Sequence, residues 1–348
     1  MNSTPKIAVI LVNWNGQTYL PDCLRSLAVT KYPADRWQIV MIDNHSTDAS
    51  VLFAKSEFPN VVVIENSTNL GFSAANNQGI RWALEHGFEV VVLLNYDTTV
   101  APDWLMELAI QSQSDPKIGA VQAKILLHDH PEQINTVGNK LQYLGFGYSG
   151  NYLEVDSPAF DQPKEIAYPS GAAFLLTKAA VERVGVLDED LFMYHEDLDL
   201  GWRLWLAGFK VTNAPKSRVF HKYNFSRNPK KFYYMERNRF IVLAKNYSIK
   251  TLLLILLPLI IMELGMLGYA AVTGWLGYKL KSYFDALVAL PHTLKKRRGI
   301  QSTRRVTDRE FVHLLSTGVV FGEINNPLLR WIVNPLLTVY WFCIRRLL

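Results

Sequence analysis

The chain has 348 residues, 49% of them hydrophobic, and its 36 basic and 31 acidic side chains leave a modest formal net charge of +5. That is enough for one large domain with an appendage, and the charge implies no nucleic-acid partner. The two cysteines, Cys23 and Cys343, are far apart in sequence and exclude a disulfide framework and a thiolate metal cage, which fits a reducing compartment.

The opening stretch "MNSTPKIAVILVNWNG" has a six-residue apolar run after a single lysine, shorter than an ordinary signal-peptide h-region, so the first part of the chain is expected on the cytoplasmic side. Four short apolar runs then follow one another: Ile7–Val12, Ile39–Ile42, Val61–Ile64 and Val90–Leu94. Their continuous apolar character, without alternation, predicts strands buried on both faces of a mainly parallel sheet. Helical patterns at Tyr19–Leu27, Ala49–Glu57, Ser73–Glu85 and Pro102–Gln111 complete a βαβ series, so the fold class is α/β with a doubly wound sheet.

Each run ends in a polar cluster: Asn13-Trp14-Asn15, Asp43-Asn44, Asn66 to Asn69, and Asn95-Tyr96-Asp97. Singly, Asn or Asp in a turn is ordinary turn chemistry. Four such clusters at the carboxyl edge of one open sheet, where ligands bind, argue for a polar ligand.

Beyond Pro102 the pattern is mixed. Gly119–Leu127 reads as a strand, Thr136–Tyr152 as a Gly- and Tyr-rich loop or hairpin, Tyr168–Leu176 as a small-residue turn leading into a strand, and "FKVTNAPKSRVFH" as strand, turn and strand. Between the last two lies "MYHEDLDLGWRLWLAG", residues 193 to 208, a predicted amphipathic helix with Glu196, Asp197 and Asp199 in its first turn. Acids there complement the helix macrodipole without any chemistry, Asp199 and Arg203 are spaced to pair, and Gly208 suits the stop.

After residue 248 the composition changes. Leu252–Leu276 is almost wholly apolar apart from Pro258, Glu263 and several glycines, and is followed by the basic stretch "KKRRGIQSTRR". It is long enough to cross a bilayer, yet one crossing would carry the basic stretch away from the cytoplasmic side. A kinked or re-entrant hairpin resolves the conflict, with Glu263 at the interface. Leu328–Ile344, with Arg330 and Asn334 inside it and aromatic residues nearby, reads as interfacial. The expected division is therefore 1–248 and a membrane-associated helical region 249–348, drawn to an anionic membrane surface; the plain alternative is that both apolar segments form buried core or a dimer interface.

There is no G-x-x-x-x-G-K-[ST] loop, no G-x-G-x-x-G after the first strand, no G-x-S-x-G elbow and no H-E-x-x-H helix, which removes P-loop, ordinary NAD-binding, serine-hydrolase and zinc-peptidase readings. Asp97, at a strand end before two threonines, is suited to a divalent cation shared with substrate phosphates, and His221 follows another strand and offers a nitrogen ligand.

Taken in order, "VILVNWNG" with "YLPDCLRSL", "VMIDNHSTDAS", "ENSTNLGFSAANNQGI", "VVLLNYDTTVAPDWL", "PSGAAFLLTKAAVERVGVLDEDLFMYHEDLDLGWRLWLAGFKV" and "HKYNFSRNPKKFYYMERNRFIVLAKNY" resemble the ordered motifs of family 2 glycosyltransferases with the GT-A fold, especially the rhamnosyltransferase-like branch. The resemblance covers roughly residues 5 to 247. It implies inverting transfer from a nucleotide-diphosphate sugar, with dTDP-rhamnose as the branch's suggestion, to a saccharide or lipid-linked saccharide in cell-surface polysaccharide synthesis. By that resemblance Asp43 contacts the nucleobase or ribose, Asn95 and Asp97 occupy the Asp-x-Asp motif that holds Mg or Mn, and His221 lies near the metal. Asp197 is the catalytic base, Arg237 or Arg239 lies near the diphosphate or acceptor, and Asn13, Asn69, Gly171 and Glu196 complete the substrate-binding set. Asn95 departs from the fuller Asp-x-Asp pattern, which bears on strict metal dependence. A polyprenyl-phosphate glycosyltransferase, a sugar-nucleotide pyrophosphorylase and a catalytically inactive membrane-anchored glycan-binding or scaffold protein are the competing readings.

Overall fold

The computed structural model describes residues 4–223, 228–320 and 327–348. The chain divides into two compact units: Met1–Asn139, Ser149–Leu204 and Phe209–Asn224 form one, and Lys140–Tyr148, Trp205–Gly208 and Phe225–Leu348 form the other.

The first unit opens with the expected βαβ series: β1 (Ile7–Asn13), α1 (Leu20–Ala28), β2 (Trp37–Asp43), α2 (Ser50–Glu57), β3 (Val62–Glu65), α3 (Gly71–Glu85) and β4 (Val90–Asn95). In α1, Leu20, Cys23, Leu24 and Leu27 recur at helical spacing and all are fully buried, so the sequence period and the core-facing stripe coincide. Burial pushes the Cys23 thiol up to about 12, which leaves it a packing residue. The unit continues with β5 (Thr98–Val100), α4 (Trp104–Ser112), β6 (Ile118–Leu127) and β7 (Ile134–Thr136). Two short strands, β8 (Lys140–Gln142) and β9 (Gly147–Tyr148), belong to the second unit; then come β10 (Ala173–Thr177), α5 (Lys178–Val184), α6 (Glu196–Leu206) and β11 (Lys210–His221).

The main sheet runs β3-β2-β1-β4-β10-β6-β11-β5, with β7 beside β6. Strands β1 to β4 are parallel, β10 is antiparallel to both β4 and β6, and β11 is parallel to β6. The sheet is thus mixed but mainly parallel, and the ends of β1, β2 and β4 meet on one edge. "FKVTNAPKSRVFH" is one strand instead of two with a turn: the pairing with β6 jumps from Ala214 to Arg218, so residues 215–217 are absorbed as an irregularity in the ladder. Ser217 there donates to the Trp104 carbonyl, which fixes the irregularity from within the core.

The second unit contains α7 (Pro229–Asn246), α8 (Ile249–Val272), α9 (Leu276–Ser302), α10 (Asp308–Phe311), β12 (Leu315–Ser316) and α11 (Asn334–Ile344). Helix α7 packs along α9, so the boundary falls before α7 and not at residue 248. The structural reason is a buried ion cluster. Arg239 of α7 pairs with Glu236 and with Glu263 of α8, and Lys279 of α9 pairs with both glutamates.

Of Pro258 and the glycines expected to permit a hairpin, Pro258 sits inside a continuous α8, and the break between α8 and α9 falls at Gly274, whose φ of +81° favours glycine. Glu263 pairs with Lys279 at 2.6 Å, so its charge is met by a partner on the neighbouring helix. Tyr143, between β8 and β9, stacks on Trp341 of α11 with ring centroids 4.4 Å apart, and β12 pairs with β8.

Candidate functional site

The carboxyl edge of the first unit brings together most of the residues singled out by sequence. Asn13 and Asp43 end adjacent strands in register, and Asn13 Nδ2 lies 2.8 Å from Asp43 Oδ1 and 2.8 Å from Ser50 Oγ. Asp43 also accepts from the Ser46 backbone N–H at 2.9 Å and from its hydroxyl at 2.6 Å. Both side chains are buried. The carboxylate is therefore held rigidly by local donors at the mouth of the β1 and β2 loops. Those loops are stitched together by Thr47 N–H donating to Asn15 Oδ1 and Gln17 N–H to Asp48 Oδ2, each at 2.8 Å. Trp14 stands 52% exposed between them, a large aromatic surface left open beside a polar edge.

Asn69 works on the loop that starts α3: its Oδ1 accepts from Asn44 Nδ2 and from the Gly71 backbone N–H, both at 2.9 Å. Gly71 has φ +82°, and a Cβ there would meet the Phe192 ring at 2.4 Å. Ser73 N–H completes the junction by donating to the Phe192 carbonyl at 3.1 Å. The loop after β3 is in this way keyed to the segment that leads into α6. In that segment Phe192, Tyr194 and His195 all take left-handed backbone conformations, with φ between 62° and 68°. Such residues cost of order 1–3 kcal/mol each and cluster at functional sites. Sequence reasoning missed them, because no residue type there demands positive φ.

Asp97 and His221 form a second group. His221 is buried; its Nδ1 lies 3.0 Å from Asn135 Oδ1 and its Nε2 lies 3.4 Å from Asp97 Oδ1. The Asn135 carbonyl oxygen takes the Nδ1–H, which turns the Nε2 lone pair toward Asp97. Asp97 Oδ1 is buried without a hydrogen-bond partner. A carboxylate oxygen and an imidazole nitrogen converging on one point fit a divalent cation that takes its remaining oxygens from a diphosphate. Among the described residues no three His, Cys, Asp or Glu side chains cluster, so the chain by itself makes no closed cage. Asn135, on β7, was not legible as a site residue, since it lies 86 positions from His221.

Asn95 ends β4 beside this pair, and its N–H donates to the Ala172 carbonyl at 2.9 Å. The neighbouring Gly171 N–H donates to Asp197 Oδ2 at 2.9 Å, and Leu198 N–H donates to Asp197 Oδ1 at 2.7 Å. Burial pushes the Asp197 carboxyl up to about 6, against the lowering effect of those two N–H groups. Glu196 is buried with Oε2 unpartnered, and desolvation, reinforced by the charge on Asp197, holds it well above the ordinary carboxylate range. Both carboxyls are thus pushed toward their protonated forms, and a charge on Asp197 further disfavours a second charge on Glu196. Asp199 is structural, bound to Arg203 Nε at 2.8 Å, while Arg203 also donates to the Val184 and Val186 carbonyls.

Arg237 and Arg239 do not belong to this unit. Arg239 is fully buried, and four of its five N–H groups go to Glu236, Glu263 and the Leu144 carbonyl, so its charge is met inside the second unit. Arg237 lies over the Tyr233 and Tyr234 rings and donates to Asn238 Oδ1. Residues 224–227 of the "YNFSRNPKKFYYMERNRF" motif lie outside the described residues.

Residues 5–240 match the family model described as glycosyltransferase like family 2. Over 239 residues the chain is 28% identical to N-acetylglucosaminyl-diphospho-decaprenol L-rhamnosyltransferase of Mycobacterium tuberculosis (strain CDC 1551 / Oshkosh), covering 63% of this chain and 76% of that protein. It is 26% identical over 211 residues to poly-beta-1,6-N-acetyl-D-glucosamine synthase of Staphylococcus aureus (strain COL), covering 60% of this chain and 48% of that one. In fold it is similar to GalNAc-T7 solved with UDP, GalNAc and Mn2+, with TM-score 0.55 and 17% identity over 70% of this chain and 48% of the other. A mannosyltransferase from Pyrobaculum calidifontis in complex with GDP-Man and Mn2+ gives TM-score 0.51 and 16% identity over 87% and 86% of the two chains.

Proposed function

Since this chain belongs to glycosyltransferase like family 2 and is a glycosyltransferase of GT-A-like α/β fold, we propose that its first unit performs an inverting transfer from a nucleotide-diphosphate sugar to a hydroxyl of a lipid-linked saccharide. The observation that carries the reading is Asp197, a carboxylate oriented by two backbone N–H groups at the sheet edge and pushed up to about 6. A base with that affinity is largely ionised at neutral pH yet still takes a proton readily, as an acceptor hydroxyl attacking the anomeric carbon requires. Glu196, whose charge is disfavoured by burial and by Asp197, is suited to hydrogen-bond the acceptor.

Asp43, with Asn13 and the stitched loops around it, is assigned to the nucleoside, and Asn69 and Asn95 to holding the loops that frame the donor. Asp97 and His221 are assigned to a Mg or Mn ion, which when bound supplies electrostatic stabilisation for the departing diphosphate. The Mn2+ complexes of the two fold neighbours support that assignment. The mycobacterial relative's name joins a rhamnosyl donor with a decaprenol-linked diphosphosaccharide, which supports dTDP-rhamnose as the first donor to test and a lipid-linked acceptor. Three C-terminal helices with exposed apolar side chains support membrane association. The basic stretch from Lys295 to Arg298 supports the cytoplasmic side.

The test is to incubate the full chain with a panel of nucleotide sugars and a lipid-linked saccharide, reading release of nucleoside diphosphate. Release that depends on the acceptor and is greatest with dTDP-rhamnose is expected. Donor binding without release from any member of the panel would leave a glycan-binding scaffold in place of an enzyme of this specificity.

A further inference from the structure

Across Gly171 the Asp197 carboxylate meets an apolar wall. A Cβ placed on Gly171 would lie 3.5 Å from Asp197 Oδ2 and 3.6 and 3.7 Å from Cζ and Cε1 of Phe72. All three are ordinary van der Waals distances, and the φ of Gly171 lies outside the left-handed region, so neither packing nor backbone demands glycine there. What the glycine leaves is a gap with a carboxylate oxygen on one side and the edge of an aromatic ring on the other. Phe72, Ser170 and Asp197 are each partly exposed, so the gap opens to the exterior.

Both walls are held in place. Phe72 lies in the first turn of α3, between Gly71, which abuts the Phe192 ring, and Ser73, whose N–H donates to the Phe192 carbonyl. The Phe72 carbonyl itself accepts from Asn76 Nδ2 at 2.9 Å. On the floor, Ser170 N–H donates to Gln122 Oε1 at 2.8 Å, and Gly171 N–H holds Asp197 Oδ2. Beside Asp197, Glu196 carries a buried Oε2 with no hydrogen-bond partner. All of these residues belong to the first unit.

Such a gap suits a carbon of a sugar ring that bears a hydroxyl: the O–H bonds the carboxylate and the C–H packs on the ring edge. A phosphate would face the Asp197 charge, and a hydrocarbon chain would bury the carboxylate without a donor. We infer that the gap over Gly171 is the subsite for the acceptor's sugar, in which Phe72 packs on the C–H beside the attacked hydroxyl and thereby decides which hydroxyl reaches Asp197. The inference rests on the reading of Asp197 as the base. A sugar turned so that a second hydroxyl points at Phe72 leaves that group without a partner, which is the discrimination the ring supplies.

Saturation-transfer difference NMR on the full chain in detergent, with dTDP present, tests this with the methyl glycosides of glucose, galactose and N-acetylglucosamine as probes. The wild type is expected to saturate the ring protons flanking one hydroxyl of at least one glycoside. Gly171→Ala, which fills the gap without a clash, should remove that transfer and raise the KM of a saccharide acceptor about tenfold, with the dissociation constant of the nucleotide sugar within about twofold. Phe72→Asn should act in the same way, and Phe72→Leu, which restores hydrocarbon, should recover most of the signal. No transfer to any of these glycosides, or equal transfer in folded Gly171→Ala, overturns the assignment. Should Phe72→Asn fail to fold, Gly171→Ala decides. Variants that lose affinity for the nucleotide sugar but keep it for dTDP would put the donor's sugar in the gap and overturn the assignment as well. Because saturation is read without turnover, a signal lost in the variants of a chain that glycosylates no acceptor refutes the transferase reading and leaves the saccharide subsite standing. Acceptor-dependent release of nucleoside diphosphate with KM unaltered in the folded variants does the reverse.

Discussion

The backbone N–H of Gly171 donates to Oδ2 of Asp197 at 2.9 Å, tying the start of β10 to the first turn of α6. With Leu198 N–H on the other oxygen, the carboxylate has one fixed orientation. Asp197→Asn keeps the shape but puts an amide NH2 where one of these N–H donors points and removes the proton acceptor. It is expected to lower kcat by roughly 10²- to 10⁴-fold while leaving the dissociation constant of the nucleotide sugar within a few-fold. Isothermal titration beside steady-state kinetics checks both halves. Near-normal turnover at saturating acceptor would move the base elsewhere.

The same carboxylate sets a pH dependence. Asp197 must be ionised to act, and its affinity sits at about 6, so kcat/KM is expected to be flat above that value and to fall tenfold per unit below it. The stability effect has the opposite sign: an acid whose folded pKa is raised above the unfolded 3.8 favours folding below 3.8 and loses that contribution as pH rises through about 6. Asp197→Asn should therefore melt higher than wild type at pH 8, and by less at pH 5. Desolvation and the Asp197 charge both push Glu196 toward its protonated form, so Glu196→Gln, which fixes a neutral side chain there, should leave the midpoint near 6. A drop of the midpoint by a full unit in that variant would show that Glu196 is charged.

What the sequence made legible follows the range of the interactions involved. Asn13, Asp43 and Asn95 end apolar runs whose pattern is local, so strand, edge and polar terminus could all be read together, as could the Asp199–Arg203 pair one helical turn apart. Asn135, the left-handed Phe192–His195 segment and the Glu236–Arg239–Glu263–Lys279 cluster could not, because each depends on partners brought close only by the fold. Arg239 shows the cost of that blindness. In sequence it is one more arginine near a nucleotide motif, and in the structure its charge is spent inside a helical bundle.

For the cation, the informative residue is the one behind the ligand. Asn135→Ala removes the acceptor that fixes His221, and loss of such a partner typically weakens metal binding or activity 10- to 100-fold. The apparent activation constant for Mn or Mg should rise by about that factor, with nucleotide-dependent Mn binding followed by electron paramagnetic resonance as a readout separate from turnover. Asp97→Ala should abolish the metal response. Full wild-type activity in excess chelator would remove the cation from the scheme.

The buried cluster makes a prediction about stability. Burial alone would raise Glu236, but Arg239 and Lys279 more than offset it and hold the carboxyl down at about 2. Its contribution is thus present above the ordinary carboxylate range and is lost as pH falls toward 2. Lys279→Met leaves two glutamates sharing one arginine, and breaking a buried pair in this way costs about 3–5 kcal/mol. The melting temperature in detergent should fall sharply, and adding Glu236→Gln to the same chain should recover part of the loss. Independent, additive effects of the two substitutions would contradict the coupling.

Membrane association is the last expectation. Helix α8 is long and apolar enough to cross a bilayer, yet it folds back through Gly274 onto α9, where Lys279 meets Glu263. Leu257 and Ile261 of α8 and Trp331 and Leu336 near α11 are all more than half exposed, more apolar surface than a soluble monomer ordinarily leaves open. A helical hairpin lying in the interface buries these side chains among acyl chains and leaves Lys295 and Arg298 for anionic headgroups, each worth about 1 kcal/mol near the surface. The full chain should float with vesicles containing phosphatidylglycerol. Leu257→Asp with Ile261→Asp should release it at any ionic strength, whereas Lys295→Glu with Arg298→Glu should weaken binding strongly at low salt and much less at high salt, where screening has already removed the headgroup attraction. A full chain that stays in solution without detergent and does not float would show that these helices cover one another in a protein assembly and not a lipid surface.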